Sequence, residues 1–296
     1  MNLRFVEAFY WAVTLKSVTR AAEKLCVTQS ALSNRLATLE SELGVLLLDR
    51  RDKQLRLTSA GVRFQKHAER LLHLQREIKD ELGRSESVAH PMTLRVGVIE
   101  SVLHSWLIEW VRHLRQQHAG LELELTVETS PVLVEQMRRG TVDLIMAARP
   151  ADGSGVRSRP LAAMPMVFVG PCARFQPHPI ELKQLAAEVD LLTFQRGSQP
   201  HVALLDLLRK LNIDARVHTI SSISAMVELI EAGFGVATLP QAAVARLADR
   251  RELAALPCSV ALMPLPIHLS WRDDPVASTV GSVVDSAITF GNPQQP

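Results

Sequence analysis

Cysteine is scarce in this chain: Cys26, Cys172 and Cys258 are the only three, and no two form a CxxC pair. An odd, unclustered set argues against a disulfide framework and a zinc site, and each is read as a small core or surface residue, with a redox-sensing thiol the alternative. Aromatics make up only 4% of residues, so the cores must be built from Leu, Val, Ala and Met. Long apolar runs are absent as well. The longest stretch without Asp, Glu, Lys or Arg, Leu253–Trp271, is broken by Pro257, Pro264 and Pro266 and carries Ser259, His268 and Ser270, which excludes a spanning helix. Met1 leads almost at once into an amphipathic segment with Arg4 and Glu7 rather than a signal peptide, so a cytoplasmic protein without membrane contact is expected. Catalytic signatures are missing too: there is no GxSxG, HExxH or GxxxxGK, and no GxGxxG after a strand. The ten histidines are scattered, with His113 and His118 five apart and on different helix faces, and Gly233-Phe234-Gly235 reads as a helix-to-strand turn. No catalytic residue, metal or cofactor is assigned, and an enzyme remains only a remote alternative.

What is present begins with size and charge placement. At 296 residues, 47% hydrophobic and 22% charged, the chain suits two or three globular domains. Residues 1–66 carry 11 basic against 6 acidic side chains, whereas residues 67–296 carry 22 against 25. A basic front on a mildly acidic body points to phosphate contact by one end only.

Within that basic front, residues 19–36 read as two short helices about a tight turn. Thr19 is expected to cap the first and Thr28 the second, because a threonine oxygen accepts from the free N–H groups of a first turn. Ala21 and Ala22 allow a close helix crossing. Leu32, Leu36, Leu39 and Leu43 recur at i, i+4, i+7 and i+11 and bury one side of the second helix. The opposite side carries Ser30, Ser33, Asn34 and Ala37, with Gln29 at the N-terminus and Arg35 on the flank. Short hydrogen-bonding side chains and a glutamine suit base edges, and a flanking arginine suits phosphate. Gly44 ends the helix. A basic, turn-rich segment follows, in which a short two-stranded wing with Arg50, Arg51, Lys53 and Arg56 is placed to lie along the phosphate backbone.

These residues carry a resemblance. Thr19-x-Ala21-Ala22-x-x-Leu25-x-Val27-Thr28-Gln29-x-Ala31, Leu39-Glu40-x-x-Leu43-Gly44, Arg50 and Leu57-Thr58-x-Ala60-Gly61 closely resemble the N-terminal domain of LysR-type transcriptional regulators. The match is dense over about residues 2–62, and the order of later elements is similar to the family's to the end of the chain. Ser30 stands where the family usually has proline, Leu32 where valine is common and Leu48 where phenylalanine is usual.

Other elements follow from periodicity. The first helix, about residues 2–15, is expected to bury Leu3, Val6, Phe9, Tyr10 and Val13. From Ser59 to about Ser87 runs a long helix whose Phe64, His67, Leu71, Leu74 and Ile78 alternate spacings of three and four, as in a dimerising coiled coil, with a helix lying on its own domain as the alternative. Residues 85–91 form a hinge. Strands are then expected at 94–99, 121–127, 142–147, 166–170, 190–194, 215–220, 236–239 and 267–271, and helices at 102–117, 131–139, 202–211, 223–232 and 275–290. Periodicity shows repeated α/β units. The resemblance implies that they form two doubly wound lobes joined by two crossovers, like a periplasmic binding protein, with the last strand and helix returning to the first lobe.

The resulting fold is multidomain: an all-α winged helix-turn-helix over residues 1–58, a linker and dimerisation helix over 59–88, and an α/β effector domain over 89–296. Lobe I spans about 92–162 plus 266–296 and lobe II about 163–265.

Ligands of open α/β sheets sit at the carboxyl ends of strands, where helix N-termini aim free N–H groups into a crevice. Three loops qualify: Glu100-Ser101, Thr129-Ser130 and Gln195-Arg196-Gly197-Ser198-Gln199. Plain helix capping is the competing role for Ser101, Ser130 and Ser198, and the resemblance implies that these positions line an effector cleft. Arg149 and Arg196 are the cationic candidates, and a small organic anion is the expected ligand, although Glu100 beside Ser101 fits an anion only if it points away. The helix from Ser59 is expected to make a homodimer, whose two reading heads require an imperfect inverted-repeat operator in double-stranded DNA, and the resemblance implies a homotetramer; RNA polymerase is a further candidate partner. A constitutive regulator, or one governed by a protein partner, is the main alternative.

Overall fold

The computed structural model describes residues 1–49, 55–82, 92–118, 120–153, 155–174, 178–248, 253–272 and 280–292. The first helix, α1 (Leu3–Thr14), starts at Asn2, whose side chain accepts from the Arg4 N–H. Lys16 at φ 51° turns the chain into α2 (Val18–Lys24). The cap of α2 is Ser17, not Thr19. Of the two hydroxyl residues only Ser17 has the extended backbone from which a side chain can reach the Arg20 N–H, while Thr19 lies inside the helix. Helix α3 (Gln29–Leu43) does start at Thr28, which accepts from the Ala31 N–H at 3.2 Å, and ends at Gly44 in the left-handed region.

Leu32, Leu36 and Leu39 of α3 are fully buried against α1, each contributing about 1.5–3 kcal/mol by leaving water. Leu32 and Leu48, the departures from the family pattern, are both core residues. Strands β1 (Leu48–Asp49) and β2 (Arg56–Leu57) pair antiparallel as the expected wing. Buried Glu40 fastens that wing to α3, accepting from the N–H groups of Leu47 and Leu48 at 2.8 and 3.0 Å.

The long helix α4 (Ser59–Leu82) divides its apolar residues between two faces. Ala68 and Leu72 are buried on the N-terminal domain, and Phe64 meets Phe9 edge-on at 5.1 Å. Leu74 and Ile78, of the expected seam, stay 52% and 47% exposed.

Lobe I is a five-stranded sheet in the order β4-β3-β5-β12-β6. Its strands are β3 (Met92–Val98), β4 (Leu121–Val127), β5 (Leu144–Ala147), β6 (Val156–Met164) and β12 (Leu265–Arg272). β3 runs parallel to both β4 and β5, whereas β12 is antiparallel to β5 and β6. Lobe II has the order β11-β7-β10-β8-β9, from β7 (Met166–Pro171), β8 (Leu191–Thr193), β9 (Val217–Thr219), β10 (Val236–Pro240) and β11 (Leu253–Leu256). The chain crosses from lobe I to lobe II after β6 and returns in β12, so the last strand rejoins the first lobe.

Helices α7 (Ser130–Arg139) and α12 (Val280–Gly291) belong to lobe I. Helices α8 (Leu182–Glu188), α9 (Gln199–Lys210), α10 (Ile223–Glu231) and α11 (Gln241–Ala248) belong to lobe II. The single helix expected at 102–117 is instead broken. It runs as α5 (Glu100–Val102), a π-helical turn over Leu103–Leu107 and α6 (Ile108–Gln117), because Ser105 leaves helical geometry at φ −114°, ψ −108°. No helix among the described residues is long and apolar enough to cross a membrane.

The N-terminal domain is packed directly on lobe I. Trp11, 1% exposed, lies between the Lys24 ammonium at 5.0 Å and the Arg272 guanidinium at 5.9 Å from its ring centroid. Lys24 Nζ stands 2.5 Å from Asp143 Oδ1, and Asp143 Oδ2 accepts from the Arg95 backbone N–H at 3.1 Å. Burial works against the Arg95 guanidinium, but Asp143 and the bonded Glu124 outweigh it and raise its pKa. Arg20 pairs with Glu135 at the rim at 3.6 Å.

Candidate DNA-reading surface and inter-lobe cleft

With Leu32, Leu36 and Leu39 pinned inward, α3 turns Gln29, Ser30, Asn34 and Ala37 to solvent, with Ser33 and Arg35 half-buried on its flanks. The capping hydroxyl of Thr28 lies 3.1 Å from the Ser30 hydroxyl, where the family usually carries proline, so Ser30 here extends the polar N-terminus of the helix. The Thr19 hydroxyl, freed from capping, donates to Gln29 Oε1 at 3.3 Å. The amide of the leading base-edge candidate is therefore oriented from the neighbouring helix. Sequence reading missed this role, although ten residues separate the pair across one turn. Arg56 is exposed on β2. Arg50, Arg51 and Lys53 lie outside the described residues.

The three candidate ligand loops fall at carboxyl ends of parallel strands. Glu100-Ser101 follows β3 and Thr129-Ser130 follows β4. The neighbouring end of β5 is tied in by the Ile99 N–H, which donates to the Met146 carbonyl at 3.0 Å. Residues 195–199 follow β8 in lobe II. The two lobes meet at these ends. Half-buried Phe194, just past β8, packs on the apolar cores of both lobes.

Plain capping explains only one of the three serines. Ser198 caps α9, accepting from the His201 N–H at 3.5 Å, and Gly197, at φ 81°, donates its N–H to His201 Nδ1. Ser101 instead sits within the first turn of α5 behind Ile99 and is 3% exposed. Ser130 accepts from the Ala148 N–H at 3.0 Å, bracing the end of β5, while Thr129 holds the N-cap position of α7 without a side-chain cap bond. Arg149 and Arg196 are exposed; the Arg149 charge acts on Asp152, secondary to Arg138.

Glu100 points across the cleft. Its Oε2 accepts from the Ile223 N–H at 2.9 Å and its Oε1 from the Ser222 hydroxyl at 3.1 Å, both at the N-terminus of α10 in lobe II. His104 Nε2 stands 3.7 Å from Oε1. Burial raises the Glu100 pKa, but bonding to His104, the Ile223 N–H and Ser222 outweighs it and holds the carboxyl below its ordinary value. A separate open pocket of about 490 Å³ is lined by Ser105, Trp106, Glu109, Arg246 and Phe290 among others, none of them among the ligand candidates.

Comparison with known proteins gives this arrangement a relationship. Residues 3–62 match the family model described as bacterial regulatory helix-turn-helix protein, lysR family, and residues 90–286 match the LysR substrate binding domain. The chain is 27% identical over 270 residues to the HTH-type transcriptional regulator DgdR of Burkholderia cepacia, covering 90% of this chain and 85% of that one. A full-length cysteine-to-aspartate variant of OxyR from Pseudomonas aeruginosa superposes with a TM-score of 0.62 at 23% identity, over 100% of this chain and 99% of that one. Full-length CbnR in complex with its target DNA superposes with a TM-score of 0.55 at 22% identity, over 98% and 100% of the two chains.

Proposed function

The chain belongs to the LysR family of bacterial DNA-binding transcriptional regulators, and we propose that a small organic molecule bound between its lobes sets how it holds an operator. The observation that carries this is the convergence of strand-end loops from both lobes on one cleft, with Phe194 seated on both cores. Ser101, Thr129 and Ser130 would hold the ligand from lobe I, and Arg196, Gly197 and Ser198 from lobe II, with Arg149 at the periphery. Such a ligand shifts the lobes by its differential affinity for their two arrangements. The free N–H groups of α7 and α9 favour an anion. Promoter output against inducer concentration for Ser101→Ala and Ser130→Ala, with DNA affinity as control, tests the site. A loss of inducer sensitivity at unchanged affinity is expected, and full induction at wild-type inducer levels in both variants sinks it. A constitutive regulator is the second reading, favoured by the carboxylate already seated at α10.

On the DNA side, Thr28, Gln29, Ser30, Ser33 and Asn34 would face the major groove, and Arg35, Arg50, Arg51 and Arg56 the phosphates. Replacing Gln29 with alanine is expected to cost about 1–3 kcal/mol of discrimination at one or two base pairs. Arg56→Ala should weaken all sequences alike and flatten the salt dependence. Equal discrimination by the Gln29 variant and wild type places the groove face elsewhere.

For assembly, residues 1–58, 59–88 and 89–296 would act as reading head, linker and effector domain. The exposed Leu74 and Ile78 on α4 favour a dimer seam there, and a tetramer with RNA polymerase at the promoter extends the same reading.

A further inference from the structure

Glu100 spends its side chain on the opposite lobe. Its two carboxylate oxygens meet two donors at the start of α10, a nine-residue helix whose first-turn N–H groups carry partial positive charge. Ser222, the cap of α10, serves both sides: its hydroxyl accepts from the Ala225 N–H at 3.4 Å and donates to Glu100. A carboxylate on a hydroxyl and a backbone N–H at a helix start is the contact set with which a protein would seize a bound organic acid. Here the acid belongs to the chain. Within lobe I the one-turn neighbour of Glu100, His104, stands with Nε2 3.7 Å from Oε1, so the carboxylate is shared between His104 and the start of α10.

We propose that Glu100 is an intrinsic ligand of the cleft, a carboxylate latch that draws lobe II onto lobe I by occupying the anion position at the N-terminus of α10. This rests on the cleft being the regulated site, yet the latch is testable without any effector. It also narrows the ligand class. With α10 already served, an effector that leaves the latch closed must place its anionic group at α7 or α9. One that reaches α10 must expel Glu100 and release the lobes. A charged hydrogen-bonded contact contributes only a modest net free energy, which suits a contact that must open.

The test uses the full chain with Cys26, Cys172 and Cys258 replaced by serine and spin labels at Glu122→Cys in lobe I and Lys210→Cys in lobe II, both exposed positions. Pulsed dipolar spectroscopy on this protein is expected to give one narrow inter-lobe distance. Glu100→Ala should broaden and lengthen that distribution, and Glu100→Gln, which keeps an acceptor but not the charge, should fall between. Sodium acetate at about 100 mM, a small carboxylate able to enter the vacated position, should narrow the Glu100→Ala distribution again and raise its melting temperature by about 2–4 °C, leaving the latched protein unchanged, with sodium chloride at equal ionic strength as control. Adding Ser222→Ala to Glu100→Ala should abolish the rescue. An unchanged distance in Glu100→Ala and Glu100→Gln overturns the latch. So does acetate acting equally on all variants, or failing on Glu100→Ala. Should Glu100→Ala not fold, the Glu100→Gln distribution alone decides. Because no effector or operator enters the measurement, a failed latch leaves the effector reading standing, and a failed inducer experiment leaves the latch standing.

Discussion

Lobe I makes two junctions, one with the N-terminal domain and one with lobe II, and they are built from different materials. Toward the N-terminal domain it covers Trp11 and Leu15, 1% and 4% exposed, and encloses one ion pair, Lys24–Asp143, with side chains only 9% and 18% exposed. Toward lobe II the apolar contribution comes from buried Met166 with half-buried Phe194 and Leu262, and two carboxylates of one broken helix, Glu100 and Glu109, reach across to α10 and Arg246. The first junction resembles a domain core: close-packed and costly to open. The second leans more on polar side chains that are partly exposed, and such contacts contribute less. Under the proposed function, a lobe movement would reach the reading head through the first junction while the second yields.

The comparison breaks most readily at Trp11. Trp11→Ala removes the aromatic that fills the junction and is expected to destabilise the protein by about 3–5 kcal/mol in denaturant titration. The larger consequence is loss of cooperativity, with the N-terminal domain melting apart from the effector domain. A single transition shifted by less than about 1 kcal/mol, the size of an ordinary surface change, would mean that the junction does not bear on stability.

Asp143→Asn sharpens it. The amide keeps an acceptor for the Arg95 N–H but strands the Lys24 ammonium in a buried site, a loss of about 3 kcal/mol. Adding Lys24→Met to the same variant should recover most of that loss, because a neutral chain of similar length fills the space against Trp11. Failure of the double variant to recover would assign the damage to packing and not to the stranded charge.

How far these junctions were legible in the sequence follows from what periodicity can report. The helical repeat of α1 marks one buried face, and Val6, Phe9 and Tyr10 fall on it. Ala8, Trp11, Ala12 and Thr14 are buried as well, while Leu3 and Val13 are only half-buried. Several of the extra residues face a second domain, whose contacts no local repeat encodes. α4 shows the same limit: the three-and-four spacing was visible, yet Ala68 and Leu72, which bind the helix to its own domain, lie off it, while Phe64, which lies on it, packs on Phe9. β6 was missed because its outward residues are polar and Pro160 interrupts it, the composition of an exposed edge strand. Thr28 and Gly44 were readable because a cap is written in one residue, whereas Thr19 required knowing the backbone at Ser17. Of the cleft, the strand-end loops were legible from α/β topology. The destination of Glu100 was not, because it depends on the angle between two lobes.

The smallest expected effect lies at Arg246. Its guanidinium stands 2.5 Å from Glu109, but the two side chains are 35% and 57% exposed, so water and salt screen the attraction. Arg246→Ala is therefore expected to cost no more than about 1 kcal/mol in denaturant titration, and less in high salt. If the polar junction is the yielding one, the same variant should nonetheless widen the inter-lobe distance distribution by more than Asp143→Asn does, although Asp143→Asn costs several times more stability. Stability and lobe mobility would then vary independently, as expected when one junction supports the fold and the other the movement. A variant series in which lobe spread simply follows lost stability would make the two junctions equivalent.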